Sequence, residues 1–318
     1  MRYLVFALCA TLAVSLVSCD TYGNDPYEEL IVVESILEAL APLPPVLLST
    51  TAPIDAVFDE ADARNVNDAT IVLQRLDENG GVVETVDYRN STRVGRYDPA
   101  SAFGGGTVPL VQPRARYRLL VDVPGFDPIR AETVVPDTFT TVAAPFSPAT
   151  YQSDEEQPTV RVTPSVFPER QTIYIFSILA VDQVGSPNPD NLTPLSRAIY
   201  DEFDEEDPEE LNDRRQFIEE AVFGASPLLN EERYIENADG TLDVSVPWLA
   251  FSFYGFHELT ASAVDDALNN FLSTQAVQFQ PTTLSPGEIP NIATNIEGGL
   301  GVFGSYARSV TTVEITRE

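Results

Sequence analysis

The side chains equipped for covalent or metal chemistry are few. The sole histidine, His257, stands beside Glu258 in Phe253-Tyr254-Gly255-Phe256-His257-Glu258. A serine–histidine–acid site needs such a histidine as general base. It also needs a nucleophile on a sharp turn, and the chain has no Gly-x-Ser-x-Gly to supply one. His257 is therefore expected to be a hydrogen-bonded or surface residue at a strand end. One histidine without a free thiol also falls short of the donors that zinc and copper sites use. Carboxylates are abundant by contrast. Asp201-Glu202-Phe203-Asp204-Glu205-Glu206-Asp207 offers hard oxygen ligands, but it lacks the alternating acids and glycine of an EF-hand loop and reads as a solvated acidic loop. No carboxylate pair of the kind used in glycoside hydrolysis stands out from this background. The last candidate is Gly298-Gly299-Leu300-Gly301-Val302-Phe303-Gly304. A phosphate-cradling loop would be followed by a helix and preferably carry lysine, and this segment has neither. Packing is the expected role: the glycines allow positive φ and close backbone approach, while Leu300, Val302 and Phe303 wedge the terminal turn against the body. The same residues, with Phe303 presented, form a candidate surface for docking a receptor. No cofactor motif is found.

The N-terminus carries its own chemistry. Met1-Arg2 gives a positive start, and Tyr3–Val17 is apolar apart from Thr11 and Ser15. That length suits a signal peptide better than a transmembrane helix. It ends in Leu16-Val17-Ser18-Cys19, which resembles the lipobox of bacterial lipoproteins. Cys19 is thus the expected lipidation site, its sulfur carrying a diacylglyceryl thioether. Cys9 would be discarded with the signal, leaving no pair for a disulfide. Each buried methylene of an acyl chain contributes on the order of 0.8 kcal/mol, so two or three chains anchor firmly. The expected segments are a signal peptide at 1–18 and a lipidated cysteine with its tether at 19–28.

Charge narrows the partners. Asp and Glu total 49 against 18 cationic residues, every one an arginine, for a formal charge of −31. Nucleic acid and anionic headgroups are excluded as broad electrostatic partners. Binding of cations or basic ligands is one reading. Adaptation to high salt, where dense carboxylates keep a screened surface hydrated, accounts better for the complete absence of lysine.

The elements that must position these residues are mostly strands. Short β-branched or alternating runs occur at Leu30–Leu37, Val46–Thr51, Ala69–Leu76, Val82–Tyr88, Gly95–Tyr97, Arg116–Val123 and Ile129–Val135, separated by turn residues. Seven strands at this spacing predict an antiparallel β-sandwich of immunoglobulin or transthyretin-like type over 29–137. Pro136–Pro158 reads as a crossing. A β-rich second domain with one or two helices is expected over 138–318. Its strands are Thr159–Thr163, Gln171–Val181, a pair around Pro247 within Leu242–Phe256, and Ser309–Ile315. Its helices are Leu211–Phe223 and Thr260–Phe271.

One stretch is more specific than the rest. Pro290-Asn291-Ile292-Ala293-Thr294-Asn295-Ile296-Glu297-Gly298-Gly299-Leu300-Gly301-Val302-Phe303-Gly304 resembles the closing signature of a family of Bacteroidota lipoproteins, domain-of-unknown-function family 4249. Leu30-Ile31-Val32-Val33-Glu34-Ser35 resembles that family's opening strand and Ser49–Pro53 its second. Asn67-Asp68-Ala69-Thr70-Ile71, Gly95-Arg96-Tyr97, Tyr117-Arg118-Leu119 and Ala131-Glu132-Thr133-Val134-Val135-Pro136 follow in family order. Leu43–Pro45 is richer in proline than the pattern. The resemblance implies a lipoprotein of the cell envelope, held at the outer membrane by its N-terminal lipid. It further implies an accessory or ligand-binding role beside a TonB-dependent receptor. It brings no catalytic residues with it. An adhesion or structural module and a carboxylate-based hydrolase are the alternatives.

Overall fold

A computed structural model describes residues 27–53, 64–143, 147–152, 157–169, 173–203, 207–226, 228–229, 234–279 and 292–317. The signal segment and Cys19 lie outside the described residues, as do Asp204, Glu205 and Glu206 of the acidic loop.

The N-terminal strands fall where the alternation places them: β1 (Ile31–Glu38), β2 (Val46–Thr50), β3 (Thr70–Leu76), β4 (Val82–Asn90), β5 (Arg96–Pro99), β6 (Arg116–Asp122) and β7 (Ile129–Val134). In β1, β6 and β7 every second side chain turns inward. Ile31, Val33 and Leu37 of β1, Tyr117, Leu119 and Val121 of β6, and Ile129 and Ala131 of β7 are buried. Complete burial of one large aliphatic side chain stabilises by about 1.5–3 kcal/mol, so these rows fix the register.

The rest of the chain adds β8 (Thr141–Ala143), β9 (Ala149–Thr150), β10 (Thr159–Val162), β11 (Tyr174–Ala180), β12 (Phe223–Ala225), β13 (Tyr234–Glu236), β14 (Leu242–Ser245), β15 (Gly255–Val264), β16 (Ile296–Glu297) and β17 (Leu300–Thr316). A thirteen-stranded sheet runs in the order β12-β11-β15-β17-β1-β2-β5-β4-β3-β6-β7-β16, with β9 alongside β17. A second sheet of four strands, β13-β14-β10-β8, joins the same hydrophobic core. Tyr174 is central to that core, with the rings of Phe139 and Tyr234 meeting it edge-on at 5.5 and 5.6 Å.

The protein is mainly β, as expected, but four expectations need correction. First, the halves do not fold around separate cores. β1 pairs antiparallel with β2 on one side and parallel with β17 on the other. The boundary at 137/138 marks the approach to the second sheet, and the main sheet runs through it. A parallel pairing of the first and last strands also departs from a purely antiparallel sandwich. Second, Thr260–Val264 is strand, held between β11 and β17; the helix begins at Asp266 and runs to Phe279. Small residues at Ala261 and Ala263 fit both periods, and central pairing decides for the strand. Third, β14 ends at Ser245, Trp248–Ala250 forms a 3-10 turn, and β15 starts only at Gly255. Fourth, there are three α-helices among the described residues, the others being Pro194–Tyr200 and Pro208–Glu220. No helix among the described residues is long and apolar enough to cross a membrane.

Candidate ligand-binding cleft and the buried network behind it

The glycine-rich segment is neither a loop nor a presented surface. Only Gly298 and Gly299 turn; from Leu300 onward the segment is already β17. Val302 and Phe303 are buried, with Phe303 fully enclosed, so the expected display of Phe303 to a receptor does not occur. Gly301 has φ +105°, and a Cβ there would lie 2.0 Å from the Val33 carbonyl oxygen of β1. Glycine at this position is what lets the last strand lie against the first. A Cβ on Gly304 would meet Leu268 Cβ at 2.9 Å, so the Asp266–Phe279 helix rests directly on β17.

Asn295 closes the seam between β17 and β7. Its Nδ2 donates to the Glu132 carbonyl of β7 at 3.0 Å and to the Phe303 carbonyl at 2.7 Å, while Oδ1 accepts from Phe303 N at 3.0 Å. One amide thus links two strands that share no ladder. Behind it lies a buried polar cluster of Thr133, Asp265 and Ser305. Asp265 caps the following helix: Oδ1 accepts from Leu268 N at 2.9 Å, and its carbonyl accepts from Asn269 N at 2.9 Å. Oδ2 accepts from Thr133 Oγ1. The Ser305 hydroxyl reaches Thr133 Oγ1 at 2.9 Å and the Val134 carbonyl at 3.2 Å. Burial pushes the Asp265 carboxyl above its ordinary pKa, against the hydrogen bonds from Thr133, Leu268 and Ser305.

In front of this network is a cleft of about 530 Å³. Its lining includes Arg116, Glu132, Asp265, Asp266, Asn270 and Asn295. Three of these are committed to the fold. Asp265 and Asn295 are held as described. Glu132 accepts from Arg118 at 2.8 Å and Arg130 at 2.6 Å; burial opposes its charge, but the two guanidinium hydrogen bonds hold its carboxyl below the usual value. The other three, Arg116, Asp266 and Asn270, are exposed, and none of their side chains has a hydrogen bond or ion pair among the described residues. A second, more apolar groove of about 360 Å³ crosses the outer face of β11, β15 and β17, where Ile175, Leu179, Leu268 and Leu272 meet Glu258 and Arg308. Arg308 is tied to Glu38 at 2.6 Å.

The remaining candidates are placed elsewhere. His257 is 1% exposed, within β15 rather than on the surface. Its Nδ1 lies 3.1 Å from the Gly255 carbonyl, its ring packs edge-on against Phe251, and Nε2 has no partner. Burial pushes its pKa down to about 4. Among the described residues no hydroxyl nucleophile is hydrogen-bonded to it. In the acidic loop, Asp201 pairs with Arg197 at 2.9 Å and Asp207 caps the Pro208–Glu220 helix through Glu209 N at 2.9 Å. Among the described residues no three His, Cys, Asp or Glu side chains converge on a metal-sized site. Sequence reasoning missed Asp265 and Thr133. The available signal was an aspartate three residues before Leu268, an N-cap spacing hidden by starting the helix at Thr260.

Fold and site together define a mainly β protein whose strand β17, entered through a glycine-rich turn, joins β1 to β15 inside the main sheet beside a polar cleft. The chain belongs to the DUF4249 family, described as a domain of unknown function, whose model matches residues 18–312. No curated protein matches the chain. Among solved structures it is similar to Salmonella alpha-2-macroglobulin reacted with methylamine, at 9% identity and a TM-score of 0.23 over 91% of this chain and 15% of that one. Trypsin-activated alpha-2-macroglobulin from Escherichia coli follows at 9% identity and a TM-score of 0.20, over 76% of this chain and 15% of that one. Drosophila OTK extracellular domains 3–5 reach 10% identity and a TM-score of 0.15, over 91% of this chain and 66% of that one. This chain spans only 15% of the length of either macroglobulin, and likenesses at such TM-scores carry no argument about function.

Proposed function

We propose that this is a lipid-anchored, non-enzymatic ligand-binding protein of the outer membrane, working as an accessory beside a TonB-dependent receptor. The lipobox ending in Cys19 supports the anchor. The carrying observation for ligand binding is the division of labour in the cleft. A buried hydrogen-bond network fixes its back wall, while Arg116, Asp266 and Asn270 stand uncommitted at its mouth. Preorganised walls with a few free polar groups are how small-molecule sites gain specificity. Hydrolysis fits less well, because Glu132 and Asp265 spend their oxygens on arginines, hydroxyls and a helix amide.

The test is purification of the tagged full chain from native outer membranes in mild detergent. A stoichiometric barrel receptor should co-purify, and Cys19→Ala should move the protein to the soluble fraction. Cys19→Ala protein that stays membrane-bound, or a wild-type preparation free of any barrel protein, would overturn the anchored-accessory reading.

A further inference from the structure

We infer that the cleft takes a zwitterion, namely a free amino acid or short peptide held by its charged ends. This rests on the ligand-binding reading above and names the ligand class. Arg116 carries the argument. The chain has 49 acidic residues and 18 arginines, and other arginines around this site are paired: Arg114, Arg118 and Arg130 each have a carboxylate within 4 Å. Arg116 lines a cleft with three carboxylates, Glu132, Asp265 and Asp266, yet pairs with none of them. Its guanidinium offers a fork of donors shaped for a carboxylate.

The same cleft is lined by Asp266 and Asn270 of the Asp266–Phe279 helix, four residues apart and so on one helix face. Their free groups are an acceptor carboxylate and a side-chain amide. The cleft therefore holds one unpaired cation and one unpaired anion that are not within ion-pair distance of each other. A simple anion would meet Arg116 but leave Asp266 unmatched. A simple cation would meet Asp266 but face Arg116. A neutral sugar would strip water from both charges and return no opposite charge to either. A molecule with a carboxylate at one end and an ammonium at the other satisfies both unpaired charges at once. The volume of about 530 Å³ is that of a small-molecule site.

The experiment is calorimetric titration of the mature chain with four probes: trialanine, N-acetyl-trialanine, trialanine amide and maltotriose. Trialanine should bind, and blocking either end should weaken it by about tenfold, the effect of losing one charge-assisted contact. Arg116→Gln should abolish the difference between trialanine and its amide. Asp266→Asn should abolish the difference between trialanine and its N-acetyl form. Both side chains are exposed, and circular dichroism is the check that the variants fold. Equal binding of blocked and unblocked peptide, or unchanged discrimination in both variants, overturns the zwitterion. Maltotriose binding that is lost in Asn270→Ala, with no peptide binding, overturns it but leaves the ligand-binding reading standing. If none of the four probes binds, both fall.

Discussion

Asp265 and His257 are both buried ionisable groups, but their surroundings differ. Asp265 sits among donors: Thr133 Oγ1, Leu268 N and, beyond Thr133, the Ser305 hydroxyl. His257 belongs to a chain of ring contacts from Tyr151 through Trp248 and Phe251 at 5.3, 6.2 and 5.4 Å. In that chain Tyr151 Oη, Trp248 Nε1 and His257 Nε2 are all buried without a hydrogen-bond partner. A buried polar group that is paired specifies a geometry, and one left unpaired costs about 1–3 kcal/mol. The first cluster backs the cleft and joins β7, β17 and the Asp266–Phe279 helix. The second is packed for its apolar area and carries its polar atoms as a burden. The difference points to the seam, rather than to the lone histidine, as the place where sequence has been spent on position.

Removing the closest approach on the other side of β17, where it meets β1, should have the largest effect. In Gly301→Ala the new Cβ would sit 2.0 Å from the Val33 carbonyl, at a φ that alanine rarely adopts. The clash is with backbone and cannot be relieved by a rotamer change. The β1–β17 ladder would have to separate, at a cost above about 4 kcal/mol, the range reserved for broken cores and strained backbone. Loss of the cooperative urea transition is the expected result, and a wild-type midpoint would refute the close-approach account.

Asp265→Ala comes next. It would leave Thr133 and the Leu268 amide short of an acceptor, costing about 2–4 kcal/mol. Asp265→Asn keeps one acceptor oxygen and should recover part of that loss. If the two variants have the same urea midpoint, the hydrogen bonds do not define this cluster.

The pH dependence sets the two groups against each other. The folded-state pKa of His257, about 4, lies below its ordinary value of 6.5. As pH falls through 6.5 the unfolded chain takes up a proton that the folded chain refuses. His257 therefore contributes stability that is complete above pH 6.5 and is lost as pH falls toward 4. At about 1.4 kcal/mol per pKa unit, the loss at pH 4 is about 3 kcal/mol. Asp265 acts in the opposite sense. Its raised folded-state pKa means that the folded chain takes the proton first, so its contribution rises as pH falls toward 3.8. His257→Phe should flatten the wild-type loss between pH 6.5 and 4. An unchanged slope would mean that the ring is not buried in its neutral form.

The N-terminal strands were legible because β1, β3, β6 and β7 each bury one face, and alternation then gives both element and register. The C-terminal half was harder to read. Ala261 and Ala263 suit either period, so the local pattern assigns Thr260–Val264, the second half of β15, to the helix that follows, and the N-cap role of Asp265 disappears with that choice. Pairing of β1 with β17 depends on residues some 270 positions apart, which no local pattern encodes. The glycines at 298–304 were recognisable as close-approach positions, but not what they approach. Arg116 could not be singled out at all, since its distinction is the absence of a partner in three dimensions.

The smallest expected effect tests the other half of the comparison. Tyr151 is 5% exposed, and its hydroxyl has no hydrogen-bond partner. The neighbouring Thr193 directs its own proton to the Phe251 carbonyl at 2.9 Å. Burial raises the Tyr151 pKa above its ordinary value, so the phenol is neutral at any working pH and its oxygen only loses water on folding. Tyr151→Phe keeps the ring contacts with Trp248 and Tyr254 at 5.3 and 6.2 Å and removes the orphaned oxygen. Stability should stay level or rise by up to about 1 kcal/mol, whereas deletion of a seam hydroxyl, as in Thr133→Val, should lower it by about 1–2 kcal/mol. The contrast is sharper than either value alone, because both changes remove one buried hydroxyl while keeping most of the side-chain volume. If Tyr151→Phe is destabilised as much as Thr133→Val, the aromatic cluster holds a partner for that hydroxyl, an ordered water for instance, and the two regions are alike in how they treat buried polar groups.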